Sequence, residues 1–253
     1  MQAIVRDLLV NYTSRGKGKA ILLLHGWGDS ADTFSILQKQ LSGDYHVVSV
    51  DLPGFGKSQT PNTAWGLDEY AEFTASFVKK VGIQPPYAII GHSNGGAIAT
   101  RGLGTDTLQT DKLILLASSG IRDVYKVHKK ALRYLVKLGK YLTMPLPMSV
   151  KRGLRNRIYR SIGSDMLVAE HMQETFKKVI TDDVQSDAKN ITARTLLLYG
   201  GHDNATPTSY GETFHSLIQN SKLDVLPEAG HFIHQDAAED VVKRVQAFLG
   251  EKS

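Results

Sequence analysis

The chain has no cysteine among its 253 residues. That excludes disulfides, thiolate metal sites and a cysteine nucleophile. Long apolar runs are missing too. The strongest, Ala20–Leu24 and Leu113–Ala117, have five residues each, far short of the roughly 20 that cross a bilayer as a helix. The opening MQAIVRDLLVN lacks the basic head and apolar stretch of a secretory leader. The chain therefore reads as cytoplasmic. No internal repeat or low-complexity tract occurs. Hydrophobic residues make up 42% and charged residues 22%; a disordered chain would be poorer in the first and higher in net charge. At this length a core forms without covalent staples.

What is present in excess is positive charge, +5 overall with a pI near 9.2, which invites a nucleic-acid or membrane reading. Its location changes that. Residues 121–160 hold twelve Lys and Arg against one acid, Asp123, for +11; eighteen bases and twenty-four acids, or −6, remain elsewhere. One basic segment sits in a mildly acidic body, which argues against a nucleic-acid partner.

Short apolar runs alternate with helical patterns. AILLL (20–24), HVVSV (46–50), YAII (87–90), LILLA (113–117), TLLLY (195–199) and LDVL (223–226) each close on a turn rich in Gly, Ser or Pro, as buried parallel strands do. Between them, Leu67–Val81 and Val241–Leu249 carry apolar residues at helical spacing. The alternation predicts an α/β fold with a mostly parallel sheet, its ligand site along the carboxyl ends of the strands. It breaks once, over about 70 residues from Ile121 to Asn190, which read as helices interrupted by Pro145 and Pro147. The predicted organisation is a core of residues 1–120 and 191–253 with a helical insertion at 121–190.

Gly91-His92-Ser93-Asn94-Gly95 follows an apolar run and precedes a helical pattern. A serine lifted above a sheet on a sharp strand-to-helix turn needs small residues two positions to either side. Such a serine needs a base, and the base an orienting acid. His231, in Ala-Gly-His-Phe after the last strand, is the candidate base. His202 also ends a strand but stands directly beside Asp203. Asp203 is the candidate acid, fixing the imidazole tautomer; Asp123 is the other candidate. Asp203 also reads as a helix cap ahead of Thr206-Pro207. Two backbone N–H donors are required for an oxyanion. Asn94 offers one, and Trp27, in His25-Gly26-Trp27-Gly28, the other. His25 and His92 read as loop-bracing residues. Asp51-Leu52-Pro53-Gly54-Phe55-Gly56-Lys57-Ser58 lacks phosphate-loop spacing and reads as structural.

With these five motifs in order, adding Gly200-Gly201-His202-Asp203 with Pro207 and Gly230-His231-Phe232, the sequence resembles the α/β-hydrolase family, in its single-cap branch with an HGWG-type oxyanion loop. The resemblance covers residues 20–120 and 191–250. It implies an eight-stranded sheet; the short amino-terminal region departs from the family pattern and is expected to truncate the first strand of its hairpin. The resemblance further implies a Ser93–His231–Asp203 triad, oxyanion donors at Trp27 and Asn94, no metal and no organic cofactor. The expected function is serine hydrolysis of small-molecule carboxylic esters through an acyl-enzyme. The alternatives are acyl transfer or C–C bond hydrolysis on the same triad, and a non-catalytic, receptor-like ligand binder. Monomer or weak homodimer is the expected state. In the insertion, Lys126, Lys129, Lys130, Arg133, Lys137 and Lys140 share one helix face. Solvated lysines are the preferred reading, and weak contact with an anionic membrane surface the second. Four of the five methionines, Met144, Met148, Met166 and Met172, fall there too and suit an adaptable acyl site.

Overall fold

The computed structural model describes residues 1–122 and 169–251. The chain divides into two units, 1–121 with 171–253, and 122–170; the first is described here. The basic face of Lys126–Lys140, Asp123, Met144, Met148 and Met166 lie outside the described residues.

Eight strands form one sheet: β1 (Gln2–Val5), β2 (Leu8–Arg15), β3 (Ala20–Leu24), β4 (His46–Val50), β5 (Ala88–His92), β6 (Lys112–Leu116), β7 (Arg194–Gly200) and β8 (Ser221–Leu226). Their order is β1-β2-β4-β3-β5-β6-β7-β8. From β4 to β8 every pairing is parallel. β1 and β2 pair antiparallel, and β2 pairs antiparallel with β4. The amino-terminal hairpin is thus present with both strands, β1 having four residues. The apolar runs become strands because helices cover both faces. Ile21–Leu24, Ala88–Ile90 and Leu113–Leu116 are fully buried, and each leucine or isoleucine among them contributes about 1.5–3 kcal/mol.

The helices are α1 (Ser35–Leu41), α2 (Leu67–Lys80), α3 (Asn94–Gly104), α4 (Gln173–Val179), α5 (Gln185–Ala188), α6 (Thr208–Leu217), α7 (Ile233–Asp236) and α8 (Ala238–Gly250). α1, α7 and α8 close one face through Leu37, Leu41, Ile233, Val241, Val245 and Phe248, which pack on Ile21, Ile90 and Ile114. On the other face α3 runs against β5 and against α2 and α5. No helix among the described residues is long and apolar enough to cross a membrane.

The order places the site. β4 lies on one side of β3 and β5 on the other, so the loops leaving β3 and β5 diverge and open a crevice at their carboxyl ends. The segment 171–182 is stitched to the loops beside that crevice. His171 Nε2–H donates to the Gly54 carbonyl at 2.9 Å, Trp65 N–H to Thr175 Oγ1 at 3.1 Å, and Leu67 N–H to Asp182 Oδ2 at 2.9 Å. Glu69 accepts the Gly66 N–H at 2.6 Å. These acids meet the positive end of the α2 dipole.

Candidate active site

β5 delivers Ser93 to the crevice. The backbone there is forced: Ser93 has φ 50° and ψ −115°, strain of the kind that clusters at functional sites. The flanking glycines are sterically required. A Cβ on Gly91 would lie 2.6 Å from the Gly95 carbonyl oxygen, and one on Gly95 would lie 2.1 Å from that of Leu24.

His231 Nε2 stands 3.0 Å from Ser93 Oγ, and its Nδ1 stands 2.8 Å from Asp203 Oδ2. The carboxylate accepts, so Nδ1 carries the proton and Nε2 is left to accept from the serine hydroxyl. The Asp203 side chain is fully buried. Burial raises its carboxyl, but the hydrogen bond and charge of His231 and the bonds from Thr206 outweigh it and hold Asp203 below the ordinary value. Asp203 also braces its own turn: Oδ1 accepts Ala205 N–H at 2.7 Å and Thr206 N–H at 2.9 Å. Asp203 is not the cap of the next helix, which starts at Thr208 behind Pro207 with no side-chain cap bond; the cap reading gives way to a brace of the turn that precedes it.

The histidines separate cleanly. His202 is exposed, His171 is engaged with Gly54, and His215 lies 2.9 Å from Ser221 Oγ. Among the described histidines only His231 has a ring nitrogen within hydrogen-bond reach of Ser93. His25 and His92 are braces, as expected. Leu52 N–H donates to His25 Nε2 at 2.9 Å, so His25 Nδ1 carries the proton and donates to the Gly26 carbonyl at 2.7 Å. His92 Nε2–H donates to the His231 carbonyl at 3.0 Å, fixing the loop that carries the base. Burial, then the neighbouring His234 and His231, hold His92 neutral with its pKa well below the usual value.

The β3 loop passes directly over the serine. A Cβ on Gly26 would lie 3.2 Å from Ser93 Cβ and 3.0 Å from His92 Nδ1. Trp27 follows, its ring 4.8 Å from Phe55 and 5.0 Å from Phe176. Asn94 begins α3, where an N–H has no acceptor within the helix. Asp51 holds the neighbouring loop, accepting N–H groups of Ala31 at 2.7 Å and Lys57 at 2.8 Å. The DLPGFGKS loop is thus a structural clamp. No group of three or more His, Asp or Glu side chains among the described residues is arranged to hold a metal ion.

Sequence reasoning missed Thr206. Its Oγ1 lies 2.7 Å from Asp203 Oδ2, 2.9 Å from the Ala117 carbonyl and 3.1 Å from His231 Nδ1. Its place three residues after Asp203 was the only available signal, and that was spent on a cap.

The sequence profile of the alpha/beta hydrolase family matches residues 21–244. The chain belongs to the alpha/beta hydrolase family. A dihydrolipoyllysine-residue acetyltransferase component of an acetoin cleaving system from Pseudomonas putida is 25% identical over 92% of this chain, which spans 64% of that protein's length. A pimeloyl-[acyl-carrier protein] methyl ester esterase of Aliivibrio fischeri is 25% identical over 95% of this hydrolase chain and 97% of its own. The crystal structure of a putative lipase from Acinetobacter baumannii superposes with a TM-score of 0.78 at 25% identity, covering 98% of this chain and 90% of that one.

Proposed function

We propose that this hydrolase cleaves small-molecule carboxylic esters through an acyl-enzyme on Ser93. The observation that supports this best is the unbroken relay from Ser93 Oγ to His231 (3.0 Å) to Asp203 (2.8 Å) on a strained strand-to-helix turn. His231 Nε2 takes the hydroxyl proton as Oγ attacks the acyl carbon. The carbonyl oxygen becomes an oxyanion against the N–H groups of Trp27 and Asn94. Asp203 steadies the imidazolium. His231 then gives its proton to the leaving alcohol. A water molecule, activated by the same nitrogen, attacks the acyl-enzyme; the acid leaves and Ser93 regains its proton. Water is the only co-reactant.

The similarity to an esterase along nearly the whole of both chains is consistent with this reading. The test is turnover of a panel of 4-nitrophenyl esters by wild type and Ser93→Ala. Turnover that disappears in the variant supports the reading. Tight binding of esters with no turnover of any of them overturns it in favour of a ligand-capturing protein.

A further inference from the structure

Among the described residues, five buried side-chain atoms outside any hydrogen bond belong to four residues: His92, Asn94, His234 and Arg244. Three of the four have another atom engaged. His92 Nε2 bonds the His231 carbonyl, His234 Nε2 pairs with Thr33 Oγ1 at 2.8 Å, and Arg244 Nη1 meets Asp224 Oδ2 at 3.4 Å. Asn94 is different. It is 3% exposed, and neither Oδ1 nor Nδ2 has a partner. Burying an amide with both ends unsatisfied is costly, and native proteins rarely do it without a use for the group.

Its direction follows from helix geometry. Gly95 and Gly96 turn toward the sheet, since a Cβ on the first would meet Leu24 O at 2.1 Å and one on the second Ser118 Oγ at 2.4 Å. At about 100° per residue, Asn94 is turned about 100° from Gly95 and about 160° from Gly96, away from the direction the two glycines share. It shares its face with Ala97 and Arg101. That face looks along Gly120 and the 183–187 segment: a Cβ on Gly120 would be 3.1 Å from Ala97 Cβ, and Arg101 bonds Asp187 and the Asp183 carbonyl. The carboxamide therefore stands at the Ser93 end of this face, off the sheet. Apolar side chains gather near the crevice too: the Trp27 ring packs on both Phe55 and Phe176, and Met172 is seated against Gly54. Pockets of this make-up take their specificity from the few polar groups they contain.

We infer that the Asn94 side chain is a specificity-determining group that reads a hydroxyl on the acyl part of the substrate. This rests on the ester-hydrolase reading of the site. A carboxamide offers one donor and one acceptor face, and a hydroxyl answers both, whereas an alkyl group answers neither. The acyl side is the one concerned because the leaving oxygen must face His231 Nε2 to receive its proton, and the carbonyl oxygen faces the Asn94 N–H. The acyl chain is left on the α3 side. Neighbouring Cα atoms are about 3.8 Å apart, so the carboxamide reaches a group about two or three bonds from the carbonyl carbon.

The test is the ratio of kcat/KM for 4-nitrophenyl 3-hydroxybutanoate over 4-nitrophenyl 3-methylbutanoate, a pair that exchanges only hydroxyl for methyl. In wild type the ratio is expected to favour the hydroxy ester, and in Asn94→Leu to fall by about tenfold or more. Comparing ratios cancels the intrinsic reactivities of the two esters. Asn94→Ala is read in the same way if the leucine variant does not fold. A ratio that stays within twofold of wild type in the folded variant overturns the inference. If neither ester is turned over through Ser93, the hydrolase reading has failed, and the inference is read separately by binding. The hydroxy ester should then raise the Tm of Ser93→Ala more than the methyl ester does, with the difference lost in Ser93→Ala/Asn94→Leu. Equal shifts in the two proteins overturn it.

Discussion

At the amino-terminal end of β6, Lys112 is fully buried and its ammonium donates to the carbonyls of Phe248 at 2.8 Å, Leu249 at 2.9 Å and Glu251 at 2.6 Å. Three protons meet three acceptors, and the cation sits at the negative end of the α8 dipole. Tyr87 Oη–H adds a bond to Leu249 O at 2.8 Å, and Arg194 pairs with Glu251. At the carboxyl end of the same sheet the bookkeeping is left open. Ser93 holds a left-handed backbone, Ala117 has φ 46°, and His92, His234 and Asn94 keep buried atoms without partners. One end is saturated and closes the fold. The other retains strain and spare hydrogen-bonding capacity, as the proposed ester-cleaving site requires.

Substitutions at the two ends should therefore separate activity from stability. The largest effect is expected for Ser93→Ala: ester turnover falls by at least about a thousandfold, while Tm stays within about 1 °C of wild type, because no buried bond of the core is lost. At the other end, Lys112→Met strands three carbonyl acceptors and is expected to cost about 4 kcal/mol. That lowers Tm by about 12 °C in a chain of this size, with kcat unchanged at 25 °C. Parallel thermal denaturation and 4-nitrophenyl ester assays read both. A Lys112→Met protein that keeps its Tm, or loses turnover while folded, would erase the contrast.

The contrast also explains what was legible in the sequence. Five strands from β3 to β7 announced themselves because a buried strand must be apolar on both faces and must end where the chain turns; β8, an edge strand with only Leu226 buried, showed only its short LDVL run and the turn after it. Ser93, His231 and Asp203 were readable because each requires its neighbours: glycines two positions either side of the serine, a strand end before the other two. The amino-terminal hairpin gave no such signal. Its strands are half-exposed, and its turn is built on Arg6 and Asp7 at φ 49° and 63°, where a glycine or asparagine would have marked it. Lys112 was illegible because nothing local buries a lysine; its acceptors lie 136 to 139 residues further along the chain. Asn94 was read for its backbone alone, since only the fold shows its side chain without a partner.

A third substitution probes the open end through pH. Burial, offset in part by Asp29, lowers His234 to about 4 from an ordinary 6.5. Between those values the unfolded chain binds a proton that the folded protein refuses, so stability is lost as pH falls through the window. From pH 7.5 to pH 5, His234 is expected to account for about 2 kcal/mol of the loss. His234→Phe should retain that much more of its pH 7.5 stability at pH 5, measured by urea unfolding at both pH values. Equal losses in the two proteins would show that the imidazole is not held neutral.

The smallest effect asks how much of the open end is reserved for orienting the relay. Thr206 has one hydroxyl proton for two acceptors, Asp203 Oδ2 at 2.7 Å and Ala117 O at 2.9 Å, and its oxygen lies within reach of His231 Nδ1. It touches no reacting atom, so it is a positioning residue. Thr206→Val keeps the shape and removes the hydroxyl. Asp203 then loses a bond that favours its ionised form, and the imidazole loses one of the groups that fixes its plane. The expected result is a drop in kcat of about tenfold, equivalent to about 1.4 kcal/mol, with KM little changed. Because the Thr206 hydroxyl bond helps hold the Asp203 carboxyl low, its loss raises it even with the backbone N–H bond kept, and the acidic limb of the kcat profile should move to higher pH. Thr206→Ser, which restores the hydroxyl without the methyl, should recover most of the rate. A purely structural threonine would give a different pattern: Tm would fall in Thr206→Val, while the pH profile of the folded fraction would coincide with wild type.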